Sequence, residues 1–196
     1  FNMTEITIPG RSTDTVRFSP FIYHTYKNKW EAGSKTPPLY KVMLFTRRNG
    51  VYKEYMPLKI GFGKTELVDG RLTRFDKELK LVKAGYNAAA DRKTTLAELK
   101  ALKAKGNNTI CPDYPQPGWF YDLCDELGLY VIDCANINAP EKRDDRKVGG
   151  TPSNDPSLAD EYLERVKAMY YRSRNFTCVL AYDLGCPSGN GYNMYK

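Results

Sequence analysis

No apolar run in this 196-residue sequence approaches the ~20 residues that a helix needs to cross a bilayer. A helical membrane span is therefore not expected. The opening Phe1-Asn2-Met3-Thr4-Glu5 lacks a basic stretch followed by an apolar one, so it does not read as a signal peptide. A chain opening on Phe1 and closing on Tyr195-Lys196 reads as part of a longer parent. Its compartment stays open, with periplasm or extracellular space favoured over the cytoplasm. Histidine occurs once, at His24 within Tyr23-His24-Thr25-Tyr26, where it reads as a surface or packed imidazole rather than a base. The five cysteines, Cys111, Cys124, Cys134, Cys178 and Cys186, are odd in number and form no Cys-x-x-Cys pair. That argues against a zinc site, a redox dithiol or a disulfide framework. Apolar neighbours, as in Tyr130-Val131-Ile132-Asp133-Cys134, predict buried thiols acting as small apolar side chains. No metal or other cofactor is expected.

Long runs of one charge are also missing. The formal charge is +7, which suits nucleic acid, an anionic membrane or acidic glycans. However, Lys27, Lys29, Arg47, Arg48, Lys100, Lys103, Arg165 and Lys167 are dispersed, and many have an acid one helical turn away. The pattern is that of a solvated surface. Nucleic-acid binding through this charge and the 15 tyrosines ranks last, because no recognisable module accompanies them. The 41% hydrophobic and 27% charged composition is that of a folded chain. Gly63-Lys64-Thr65 is not a phosphate loop: the required earlier glycine falls at Leu58, and no helical sequence follows.

What is present divides into two rhythms. Up to about residue 72, short alternating stretches read as strands: Glu5–Ile8, Val16–Phe18 and Leu39–Phe45. Pro9-Gly10 and Asp69-Gly70 punctuate them, and Arg48-Asn49-Gly50-Val51 is a hairpin turn by composition. Beyond that point, apolar runs alternate with helical segments, the order expected of βαβ units. Strands are predicted at Leu79–Val82, Thr109–Cys111, Leu129–Asp133 and Val179–Tyr182. Between them, one helix is capped by Thr94 or Thr95 and stopped by Gly106. A second presents Trp119, Phe120, Leu123, Cys124 and Leu127 and stops at Gly128. A third covers about residues 157–173 after a polar loop. Four βα units are half of the eight that close a barrel. Asp122, Asp125 and Glu126 read as charges that solvate the second helix.

The run Trp119-Phe120-Tyr121-Asp122-Leu123-Cys124-Asp125-Glu126-Leu127-Gly128-Leu129-Tyr130-Val131-Ile132-Asp133-Cys134-Ala135-Asn136 resembles the barrel motif W-Y-x-L-C-D-x-x-G-L-Y-V-x-D-E-A-N of family 2 glycoside hydrolases, the β-galactosidase type. Arg174-Asn175-Phe176 and the stretch 179–191 resemble that family's R-D-R-N-H-P and W-S-L-G-N-E-S-G-x-G. Pro38-Leu39-Tyr40 and Ile60 to Glu66 resemble P-x-L-Y and F-G-F-R-x-V-E. The likeness covers about residues 37–191. It implies a β + α/β architecture: an immunoglobulin-like β-sandwich segment over residues 1–72, then a partial TIM barrel over residues 73–196.

The same resemblance implies that the chemistry has gone. Retaining glycosidases need two carboxyl groups about 5 Å apart. The family's acid/base Glu and its preceding Asn stand at the end of the fourth barrel strand. Pro187 and Cys186 occupy those positions here, and the nucleophile would fall beyond Lys196. The nearest other acid, Asp183, is predicted to lie inside the strand. The Glu and His that hold a divalent cation in the β-galactosidase branch correspond to Asn138 and Pro140. The family's R-x-S-H-Y-P becomes Cys111-Pro112-Asp113-Tyr114-Pro115, and its G-V-N-R-H-like stretch becomes Gly85-Tyr86-Asn87-Ala88-Ala89. Asn87, Asp113, Asn136 and Asp183 remain as candidate sugar-binding residues. Asp133 also lies at a strand end, while Glu141, Asp144 and Asp145 read as solvated loop charges. The leading expectation is a degenerate module that binds glycan or serves a structural role. It would sit within a larger protein or assembly, with further chain or a partner covering the open half barrel. The alternative is a fragment of an active β-galactosidase-type enzyme.

Overall fold

The computed structural model describes residues 3–140, 142–185 and 187–195. Residues 3–28 contain turns but no strand, so the alternating segments Glu5–Ile8 and Val16–Phe18 do not become strands. Their apolar members Ile6, Ile8, Val16 and Phe18 stay exposed. An alternating segment gains from extension only when a neighbouring strand supplies ladder partners and a face to bury. No described strand forms a ladder with these.

The hairpin forms where the turn chemistry requires it. Strands β1 (Tyr40–Arg48) and β2 (Val51–Ile60) pair antiparallel. Asn49 and Gly50 take φ of 50° and 78° between them, the doubly left-handed turn that Asn-Gly tolerates best. A second antiparallel sheet holds β3 (Thr65–Val68), β4 (Arg71–Arg74) and β5 (Lys77–Glu78). No side chain of either sheet belongs to the buried apolar clusters. Every residue of β2 except Ile60 is exposed. The division expected at 72/73 falls inside β4, and the change to parallel pairing comes only after Glu78.

The parallel sheet has the order β6-β7-β8-β9, from Lys83–Gly85, Thr109–Cys111, Tyr130–Cys134 and Val179–Asp183, so β6 and β9 are its outer strands. Helix α1 (Arg92–Ala104) joins β6 to β7, α2 (Gly118–Leu127) joins β7 to β8, and α3 (Ala159–Ser173) joins β8 to β9. Half of a (β/α)₈ barrel results, as the βαβ rhythm predicts. The first strand starts later than its apolar run. The Asn108 side chain accepts from Val82 N and donates to Lys80 O, both at 2.8 Å, and Val82 O accepts from Asn108 N and Thr109 N, so residues 80–82 are held by side-chain and backbone bonds just ahead of the strand. The cap of α1 also differs. Asp91, not Thr94 or Thr95, is the cap, and its carboxylate accepts from Thr94 N at 2.9 Å. Gly128 ends α2 at φ 65°, as expected.

The core joins both parts of the chain. Trp30, from a stretch without strand or helix, is fully buried among Ile110, Phe120, Leu123, Leu129, Tyr130 and Val131. Its indole donates to Asp125 O at 3.0 Å and meets the Tyr130 ring edge-on. The Arg74 guanidinium lies over the Trp30 and Tyr130 rings and donates to Trp30 O at 2.9 Å. Gly61 N donates to Thr177 Oγ1 at 2.7 Å, just before β9. The segment around Trp30 and the end of β2 thus seal the barrel at the N-terminal ends of its strands, leaving the opposite ends for a site.

Candidate functional site

The C-terminal strand ends carry the candidate residues, and the structure brings two of them together. Asn87, two residues past β6, donates from Nδ2 to Asp113 Oδ2 at 2.9 Å, and its Oδ1 accepts from Asp113 N at 2.9 Å. Gln116, which the sequence does not single out, completes the group. Its Oε1 accepts from Ala88 N at 2.7 Å, while its Nε2 donates to Tyr114 O at 2.6 Å and reaches Asn87 Oδ1 at 3.4 Å. It is buried although polar, and only the loop's fold makes that visible. This amide and carboxylate network fixes the loops after β6 and β7 against each other.

Asn136 and Asp183 do not join it. Asp183 Oδ1 accepts from Gly185 N at 2.9 Å, a local turn bond. By strand register Lys83, Cys111 and Asp183 share one side of the sheet, and burial pushes the Cys111 thiol upward. Asn136 lies outward instead, in a cleft of about 390 Å³ with Tyr114, Pro115, Arg165, Ala168, Met169 and Arg172. Asp133 turns away from the strand-end site as well. It is fully buried, and its Oδ1 accepts from the Tyr121 hydroxyl at 2.7 Å and from Cys134 N at 3.1 Å. Its Oδ2 has no partner among the described residues. Burial, followed by the neighbouring Asp133 charge, raises the Tyr121 phenol.

The acid/base position is read from Pro187, since Cys186 lies outside the described residues. Pro187 O accepts from Ala139 N at 2.8 Å, and Ser188 Oγ donates to Gly185 O at 2.7 Å, so the loop after β9 is tied to the loop after β8. Glu141 is also outside the described residues. Asp144 and Asp145 are exposed, as expected of loop charges. His24 is exposed within a turn at φ 62°, between the rings of Tyr23 and Tyr26. Among the described residues no three His, Cys, Asp or Glu side chains gather around a common point for a metal ion. The divalent site that the resemblance implies does not fit Asn138 and Pro140, which offer neither carboxylate nor imidazole.

Asp125 does not solvate α2. It is buried at 2% exposure, with Oδ1 accepting from Cys178 N at 2.6 Å and Oδ2 from Thr177 N at 3.4 Å. Burial pushes its carboxyl up to about 6, against the lowering influence of the Cys178 and Thr177 donors. A perturbed acid often marks a catalytic site, but this one lies at the N-terminal strand ends, the face of the fold that serves stability. The fold favours its neutral form. Its contribution is therefore complete below about pH 4 and is lost as pH rises through about 6, an effect of about 3 kcal/mol at most. Asp125→Asn should flatten the dependence of the urea midpoint on pH between 4 and 7. An unchanged pH dependence in the variant would contradict this assignment.

Residues 86–196 match the family model described as glycosyl hydrolases family 2, TIM barrel domain. The chain belongs to glycosyl hydrolase family 2. A β-galactosidase of Pectobacterium atrosepticum is 31% identical to this family 2 chain over 180 residues, covering 86% of it and 16% of the relative. One from Lactobacillus delbrueckii subsp. bulgaricus is 31% identical over 179 residues, covering 83% and 17%. The family 2 chain thus spans about a sixth of the curated relatives it matches. Two solved structures share its fold. A β-glucuronidase from Ruminococcus gnavus in complex with D-glucuronic acid has a TM-score of 0.64 and 18% identity, covering 80% of this chain and 26% of that one. An exo-chitosanase of Amycolatopsis orientalis has a TM-score of 0.62 and 18% identity, covering 79% and 19%.

Proposed function

We propose that this chain is a glycan-binding module of family 2 build that has lost retaining chemistry. In this reading an immunoglobulin-like segment runs to Glu78, past the 72/73 division that β4 straddles, and the first half of a TIM barrel follows it. The observation that carries this reading is Pro187. By the motif it stands for the acid/base Glu, and its ring has no ionisable proton to exchange with a leaving group. Asp183 is a poor substitute, because its Oδ1 is engaged by Gly185 N beside the strand end. The relatives carry sugar-directed names, and Asn87, Asp113 and Asp183 at the strand ends, with Asn136 in the neighbouring cleft, supply the amide and carboxylate groups that recognise sugar hydroxyls. Further chain or a partner along the outer strands β6 and β9 belongs to the same reading, because unpaired edges are seldom left bare.

Titration of the isotope-labelled chain with methyl β-D-galactoside should shift the amide signals of Asn87, Asp113 and Gln116. Asn87→Ala should weaken that binding. Silence on an array of neutral and acidic glycans would remove the binding role and leave a structural one. A second reading, a fragment of an active β-galactosidase-type enzyme, is favoured by one observation: the chain covers only 16–18% of the β-galactosidases it matches. It requires measurable glycoside turnover in the longer parent protein.

A further inference from the structure

The cleft containing Asn136 is separate from the Asn87–Asp113 pair, and its composition is selective. Tyr114, 49% exposed, offers an aromatic face, while Pro115, Ala168 and Met169 supply apolar surface. A sugar ring presents C–H groups to such a face and hydroxyls to the polar groups around it. At about 390 Å³ the space lies within the range of small-ligand sites. No acidic residue is among its described lining residues.

The two arginines differ. Arg165 is engaged, donating to Glu161 Oε1 through Nε at 3.0 Å and Nη2 at 2.5 Å, and through Nη1 to Asn136 O at 2.7 Å. Arg172, two turns further along the same face of α3, makes no hydrogen bond or ion pair among the described residues. The Arg172 charge acts on the Tyr121 phenol, behind which the Asp133 carboxylate is buried, while Glu161 is held by Arg165 three turns back along α3. Neither takes up the Arg172 fork. A planar guanidinium with its donors free is built for bidentate contact with an oxyacid.

We propose that this cleft binds an acidic sugar, a pyranose whose ring lies on Tyr114 and whose C6 carboxylate pairs with Arg172. The assignment rests on the glycan-binding reading and names a ligand class for a second site on the same module. The probes are methyl β-D-galactoside and methyl β-D-galacturonoside, which differ only in oxidation at C6, titrated into the labelled full chain. The galacturonoside should bind about tenfold more tightly, the scale of one charge-assisted contact. Its shifts should fall on Tyr114, Ala168 and Arg172, not on Asn87 and Asp113. Arg172→Gln should abolish the preference and Arg172→Lys should restore only part of it, because the ammonium cannot form the fork. Tyr114→Ala should weaken galacturonoside binding while keeping Arg172's charge.

Three results would overturn the assignment: equal binding of the two sugars, a preference that survives Arg172→Gln, or displacement by inorganic phosphate at the same concentration as by galacturonoside. Each leaves neutral-sugar binding at the strand ends intact. Absence of binding by either sugar would instead remove the glycan-binding reading on which the inference depends.

Discussion

Given an aryl β-galactoside or β-glucuronide, this chain is expected to release no phenol above the uncatalysed background. General acid–base assistance is worth roughly 10²–10⁴-fold, and a covalent nucleophile adds more. The motif supplies Pro187 for the acid, and the resemblance puts the attacking carboxylate beyond Lys196. Leaving groups of different acidity separate the two deficits. A dinitrophenyl glycoside hardly needs the acid, so its hydrolysis would reveal a nucleophile elsewhere on the chain. An alkyl glycoside needs both groups. Pro187→Glu alone is expected to leave both substrates at background, because one carboxyl cannot run a double displacement. Turnover by the unmutated chain, abolished by heat and proportional to protein, would promote the active-enzyme reading over the degenerate one.

Trp30→Ala should lower stability by about 3–5 kcal/mol, the range for removing a fully buried aromatic side chain. The loss has three parts. The indole vacates the space beside Tyr130, at a ring separation of 5.6 Å. Asp125 O loses its donor. Arg74, only 8% exposed, loses a ring beneath its guanidinium. Trp30→Phe separates these parts. It keeps most of the burial but leaves the Asp125 carbonyl without the indole N–H, and should cost about 1–3 kcal/mol. Urea unfolding followed by far-ultraviolet circular dichroism gives both values. An alanine variant within about 1 kcal/mol of the parent would show that the N-terminal segment does not brace the barrel.

The sequence is most legible where local chemistry decides structure. The α2–β8 block combines a helical apolar face, a glycine stop and a continuous apolar strand, so its elements can be read almost residue by residue. The Asn49–Gly50 turn is equally local. Asp125 is opaque for the opposite reason. Beside Asp122 and Glu126 it looks like one more surface charge, and its burial depends on amides 52 and 53 positions later. Trp30 lies in a stretch without periodicity, and its partner carbonyl is 95 residues away. At the site, strand-end position groups Asn87, Asp113, Asn136 and Asp183, yet only the first two meet. Position along a strand does not say whether a side chain turns towards the next loop, the barrel interior or the helix layer. Gln116 and Arg172 carry no motif, and neither stands out until the loop after β7 and helix α3 are in place.

The sequence contains two tryptophans, and the fold puts them at opposite ends of α2. Trp119 begins the helix at the rim of the C-terminal strand ends, whereas Trp30 is sealed beneath the helix's last turn beside Tyr130. Each indole therefore reports optically on a different boundary. With Trp119→Phe, the remaining emission should shift to the red when the N-terminal segment parts from the barrel. With Trp30→Phe, the signal comes from beside the loop that carries Tyr114 and Gln116. A single spectrometer can then tell whether urea, or a bound sugar, acts first on the seam or on the rim.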